Sequence, residues 1–525
     1  MNSSNWSEVN LCRWVESQLT PVGGQALYTN VVDGVETYAF ASRCKRIHGW
    51  FGLDQVYRIA YLCEAHLYVD EGGTLTDISP GTGVTDVNYS QGDYSDGLYS
   101  GAATQPIQPP FIGAGGYGEG LYSDATYGTP RAENDTVLLD KVPDAFSLDN
   151  FGSILYAMTS PDGRLLMWDP AVGGEAVEQP ASDGRGPVPK GRSFVVTQER
   201  FIVIFGSTDD GTVDGGGPRR FAWCDQENPG AWDYSNLTSQ AGFLDIEPAS
   251  PIITAIATRF GTLFWTGKKA YVSQFLGIPY VYNYVELASN CTPWSPQSMT
   301  TTASLTLWMS QQGMFSFDGT SIAPIACLVR PWVDDDIDIL NVREQACMVH
   351  VGNFNEVWWY FPQSGQPYNT RVIIYSYKEG WWSQGRMSRS AGITASYTAH
   401  TIMADGLVAY EHEANNTYPP DVPLPWAETF DLNLNSGARL TTIKQLLPDV
   451  EGDINNLLYS IFYRNSRSTG TPELQTTPKP VRSDGYVDLR TTGRDIRLRI
   501  ALAGPQVLPV TVGQHLVDSV SRGDR

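Results

Sequence analysis

RFGTLFWTGKKAYVSQF, residues 259–275, reads as two strands around a tight turn: Leu263 and Trp265 alternate with Phe264 and Thr266 before Gly267-Lys268. Such a hairpin presents an apolar face that it cannot bury alone. The same theme recurs every 45 to 60 residues between 146 and 412. It appears as FGSILYAMTSPDGRLLMWDP from Phe151, RFIVIFGS from Arg200, TLWMSQQGMFSFDGTSIAPI from Thr306, NEVWWYFPQ from Asn355 and HTIMADGLVAYEHE from His400. Repeats of this length point to propeller blades, because neighbours stacked around an axis bury one another's faces and ring closure removes the exposed edges. Six copies are visible. The hairpin at 58–70 is either a seventh blade or the completion of the last. The competing reading is a set of ordinary hairpins in a double sandwich, since no strict WD40 or kelch signature unites the repeats. The fold class expected is all-β: a β-propeller of six or seven blades with an additional β-sandwich or platform domain.

Working outward, residues 1–80 read as N-terminal platform or first-blade strands, ending in YRIAYLCEAHLYVDEGGTLTDISP. Residues 81–145 form an insertion rich in Gly and Tyr, including GAGGYGEGLYSDATYGTP, with almost nothing aliphatic to bury; its tyrosines favour ordering against a partner. The blades occupy 146–420. Pro419, Pro420, Pro423 and Pro425 mark a linker into 425–525, a separate small sandwich. There, in GRDIRLRIAL, Ile496, Leu498, Ile500 and Leu502 fall on one face, with Asp495, Arg497 and Arg499 on the other.

Composition agrees with strands and turns. Gly (51), Pro (33), Tyr (27) and Trp (15) are abundant in the 525 residues, and 42% of the chain is apolar, ample for a core. The formal net charge of -22 argues against a cationic DNA-binding surface, though it suits a wall past which DNA slides and equally serves solubility. The cysteines, Cys12, Cys44, Cys63, Cys224, Cys291, Cys327 and Cys347, are scattered, odd in number and without a Cys-x-x-Cys pair, so they read as reduced, buried small hydrophobes. No signal-peptide pattern and no apolar run near 18 residues is present, which points to a chain made in a cytoplasm with no membrane segment. Sequons at Asn88, Asn236 and Asn290 then carry no weight.

Chemistry is sparsely signalled. Asp162 in SPDG and Asp209 and Asp210 in STDDGT faintly resemble sialidase turn boxes, but Asp-Gly is mainly turn chemistry and no paired carboxylates are apparent. Asp334, Asp335, Asp336 and Asp338 offer oxygens to a calcium ion without the glycine and glutamate of an EF-hand loop. His48, His66, His350, His400, His412 and His515 lack zinc spacing. No nucleophile elbow or P-loop occurs, and the terminal Arg522-Gly523-Asp524 is chance. Arg219, Arg220, Arg494, Arg497 and Arg499 are the densest basic points, read as a solvated strand face or as interface or DNA contacts. The expectation is no enzyme, no catalytic residue, no cofactor and no metal.

Four stretches together resemble the tail-nozzle proteins of short-tailed bacteriophages, also called tail tubular protein B or packaged-DNA stabilisation proteins. They are IHGWFGLD through GGTLTDISP (47–80), GGYGEGLYSDATYGTP, FAWCDQENPGAWDYSNLTSQAGFLDI with ITAIATRFGTLFWTGKKAYVSQF (221–275), and GYVDLRTTGRDIRLRIALAG. An aromatic expected before the final Gly is absent around Val510 to Gly513. The resemblance implies a structural virion protein at the tail tip: a homohexameric ring on a tail adaptor ring protein, with tail fibres or a needle as further partners. Through the ring, double-stranded DNA would pass an acidic channel without sequence-specific binding. Two alternatives are a receptor- or glycan-binding propeller and a tail depolymerase.

Overall fold

A computed structural model describes residues 6–521 apart from 82–141 and the short stretches 16–17, 29–30, 33–34, 37–38, 183, 237, 248–249, 396, 433–439, 466–472, 505–510 and 514. Most of the insertion, Asn88, Val510 and Arg522-Gly523-Asp524 therefore lie outside the described residues. Seven four-stranded antiparallel sheets follow one another along the chain. Their innermost strands are, in order, Cys44–Phe51, Phe146–Phe151, Ser193–Val196, Ile252–Thr258, Met299–Thr301, Cys347–Val351 and Ala391–Ile393. Each inner strand packs against the next, and the seventh packs against the first, so the ring closes. This is a seven-bladed propeller.

All six repeats seen in the sequence are blades, the second to the seventh. The hairpin at 58–70 belongs to a complete first blade, Cys44–Phe51, Tyr57–Cys63, Leu67–Glu71 and Thr74–Asp77, and does not complete the last. The last is completed from the other end of the chain: Gly24–Leu27 pairs antiparallel with Val408–Asn415, so N- and C-terminal halves share one sheet. That closure ties the edges which would otherwise gape. A buried cation fixes it. Arg389, with no side-chain exposure, donates to His412 Nε2 at 2.9 Å and to Gln25 Oε1 of the closing strand, and stacks 4.4 Å over the Tyr410 ring. Burial and the neighbouring guanidinium push the His412 pKa well down, so the imidazole stays neutral and accepts.

Blade faces are apolar where blades meet. Trp265 and Trp308, both fully buried, meet edge to face at 5.1 Å between blades four and five. Deleting one such ring leaves a cavity its neighbours cannot fill, so Trp308→Ala is expected to cost about 3–5 kcal/mol in urea unfolding.

The C-terminal region, Trp426 to Ser521, folds into sheets of six, four and three strands. The N-terminus is part of it. Trp6–Asn10 pairs with Trp426–Thr429, and Cys12–Val15 with Gln18–Pro21, which continues to Val512. The sandwich is thus not sequentially separate; residues 6–21 and 426–521 build one platform, and the propeller is inserted between them. Ile496, Leu498, Ile500 and Leu502 are buried as the alternation requires. Leu11 donates its N–H to the Gln384 carbonyl of blade six, and its side chain fits because residue 385 is glycine: a Cβ there would sit 2.5 Å from Leu11 Cδ2.

Candidate functional site: the axial channel

Blades supply the axis with one strand each, so residues far apart in sequence converge there. A cavity of about 290 Å³ runs along this axis and is lined from all seven blades, from Arg46 and His48 in the first to Thr394 after the last inner strand. One end is bridged. Two short helices, α1 (Arg330–Asp336) and α2 (Val342–Gln345), precede blade six. From α2 the Glu344 carboxylate accepts the Asp144 N–H at 3.1 Å at the start of blade two, while Lys45 of blade one donates to Gln345 Oε1 at 2.9 Å.

The polar lining is specific. Asp149 is the single carboxylate of the cavity wall among the described residues. Its oxygens accept N–H groups from Val196 at 3.0 Å and Asn150 at 2.9 Å. Burial raises its pKa, opposed by nearby His48, those two N–H groups and Arg46. His48 Nε2 lies 2.9 Å from Asn150 Oδ1, and His350 Nε2 lies 3.1 Å from the Tyr377 hydroxyl; burial lowers the His350 pKa. The Arg46 guanidinium has no hydrogen-bond or ion-pair partner among the described residues. Burial lowers its pKa and Asp149 offsets this.

The carboxylates singled out in the sequence are elsewhere and engaged. Asp162 pairs with Arg164 at 2.6 Å inside its own turn, and Asp209 reaches Lys190 at 3.2 Å. Arg220, far from being a DNA contact, is held by Asp210 at 3.0 Å, Asp214 at 2.9 Å and both oxygens of Asp245. Asp210 has no exposed side-chain surface, so Arg220→Met strands a buried charge and is expected to cost roughly 3 kcal/mol, read as a shifted urea midpoint. Of the acidic run, Asp334 pairs with Arg330, Asp336 with Arg371, and Asp338 accepts three backbone N–H groups, including Gly365 at 2.9 Å. Arg497 and Arg499 share Glu428 within the platform. Among the described residues no three His, Cys, Asp or Glu side chains gather as metal ligands, and the seven cysteines are free, six of them buried. Among the described residues no helix is long and apolar enough to cross a membrane. Of the axial residues, His48 and His350 stood out in the sequence only as histidines without zinc spacing, and Arg46 and Asp149 carry no local mark, because these residues line one cavity only through ring closure.

No known family's sequence model matches the chain, and no curated protein matches it. Solved structures do align. A streptogramin B lyase covers 74% of this chain and 98% of its own length at 7% identity, with a TM-score of 0.33. The β-propeller domain of Cps50 (Swd1) from Myceliophteria thermophila covers 71% and 98% at 8% identity and 0.35. An exo-β-1,3-galactanase from Phanerochaete chrysosporium covers 70% and 95% at 11% identity and 0.23. These are likenesses of architecture; the ring itself stands on the sheet pairing above.

Proposed function

We propose that the chain is a structural virion subunit whose copies form the distal nozzle of a short phage tail, a ring that retains packaged DNA and conducts it at ejection. The observation that carries this reading is the interweaving of platform and propeller. Residues 6–21 belong to the platform, residues 24–27 close the last blade, and the chain returns to the platform after blade seven. Two units stapled twice behave as one rigid wall segment, which a pressurised conduit needs. A cavity of about 290 Å³ is far too small for a duplex, so DNA would run between copies and not through one propeller. The net charge of -22 would keep phosphates from adhering to that wall. Heads filled in the absence of the chain are expected to lose their DNA to nuclease and to keep it when the purified chain is added. Heads that retain DNA without it would overturn the reading.

A receptor- or glycan-binding propeller, or a tail depolymerase, is the second reading, and one observation favours it. Phe51, Tyr57 and Tyr397 cluster at the surface with ring centroids 4.5–5.4 Å apart, Phe51 being 43% and Tyr397 64% exposed. A sugar ring stacks on such a surface. For hydrolysis the cavity wall offers a single carboxylate, Asp149, among the described residues, where paired carboxylates are the rule. Specific retention on a glycan array, lost in Tyr397→Ala, would replace the nozzle reading with the binding one.

A further inference from the structure

Hydrogen-bond supply and demand in the axial cavity are unequal. Arg46 brings five donors in a planar fork and spends none on another residue. The hydroxyls of Ser147 and Thr300, also in the wall, have no hydrogen-bond partner either. Against them stands one carboxylate, Asp149, fixed on the wall by two backbone N–H groups and farther from Arg46 than an ion pair reaches. The imidazoles of His48 and His350, also in the wall, each spend Nε2 on an Asn or Tyr partner. A guanidinium kept half-buried in a confined polar space without a partner is costly unless something acceptor-rich meets it. The planar fork matches two oxygens of one group.

We propose that the axial cavity binds a small oxyanion, a carboxylate or phosphate group, with Arg46 as its bidentate partner and Ser147 and Thr300 as hydroxyl donors. Glu344 bridges one end of the axis, so the anion enters from the opposite face, past the ends of the inner strands. The site is independent of ring assembly. It gives each propeller a ligand-dependent stability that a purely structural wall lacks, because a ligand bound to the folded state alone raises the melting temperature by mass action.

The test is a titration of the full chain with inorganic phosphate and, separately, with glucuronate, followed by calorimetry and thermal melting. The wild type is expected to show one-site, saturable binding of at least one anion with a melting temperature raised by several degrees; the stronger anion identifies the natural group. Arg46→Gln is expected to weaken binding at least tenfold, and Arg46→Lys, which keeps the charge but loses the fork, to fall between. Arg490→Gln, at an exposed arginine of the platform, is expected to respond like the wild type. Absence of saturable binding of both anions would overturn the proposal. So would an unchanged affinity in Arg46→Gln or, if that variant does not fold, in Arg46→Lys; an equal loss in Arg490→Gln would mark binding as diffuse surface charge and overturn it too.

Discussion

Removal of residues 1–27 is expected to leave a chain with no cooperative thermal transition, insoluble or collapsed when expressed. The deletion takes Val9, Leu11, Trp14, Leu19 and Val22 out of the core shared by platform and blade six. Each such side chain contributes about 1.5–3 kcal/mol on burial, a sum on the order of the whole stability of a domain. It also removes the outer strand of blade seven, uncovering the edge of Val408–Asn415 and taking Gln25 from the buried Arg389. An exposed edge of eight residues invites pairing between chains. A soluble truncated chain melting within a few degrees of the full protein would show that the ring closes without its first strand.

The second large effect is at the joint. Arg13, a platform residue, reaches Glu356 of blade six at 3.0 Å and Glu413 of blade seven, and its guanidinium stacks 3.7 Å over Phe354. Glu356 also accepts from Trp358 Nε1 at 2.8 Å, and Glu413 from the Gly23 N–H at 2.8 Å. One cation serving two carboxylates, of which Glu356 is the buried one, leaves Glu356 under-compensated: burial pushes its pKa up to about 7, against the pull of Arg13. Its folded-state pKa therefore exceeds the unfolded value near 4.3, and the folded chain binds the extra proton between the two. The stability linked to that proton is fully present below about pH 4.3 and is lost as pH rises through 7, roughly 4 kcal/mol at most. Arg13→Met is expected to cost about 3–5 kcal/mol at pH 8, where the buried Glu356 loses the cation that keeps it ionised and must take up a proton, and less at pH 5, where Glu356 is already protonated in the wild type. Glu356→Gln is expected to flatten the decline between pH 5 and 8. Urea unfolding at the two pH values measures both; equal losses for Arg13→Met at pH 5 and pH 8 would refute this account of the joint.

What the sequence disclosed follows from where each strand lies. The middle strands of blades two to seven are buried on both faces, so runs such as Trp358-Trp359-Tyr360-Phe361 and Leu263-Phe264-Trp265 announce themselves. The first blade is harder to read because its inner strand, CKRIHGWF, carries Arg46 and His48 to the polar cavity wall and Lys45 to Glu64 and Gln345, which breaks the apolar pattern. The closing strand is harder still: Gly24–Leu27 has four residues, begins in glycine, and finds its partner nearly four hundred positions away. For the same reason Trp6–Asn10 gives no local sign of joining Trp426–Thr429. The densest arginines looked like surface contacts, yet Arg220 and Arg497 are consumed by carboxylates brought in by the fold. The axial site was illegible, since it exists only once seven strands have met.

The most direct test of the nozzle assignment is the mass of the purified full chain by light scattering, alone and after mixing with its tail adaptor, followed by negative-stain imaging. The account predicts a ring of about six copies around an axial opening wide enough for duplex DNA, formed either alone or on the adaptor. A chain that stays monomeric in the presence of the adaptor would contradict it.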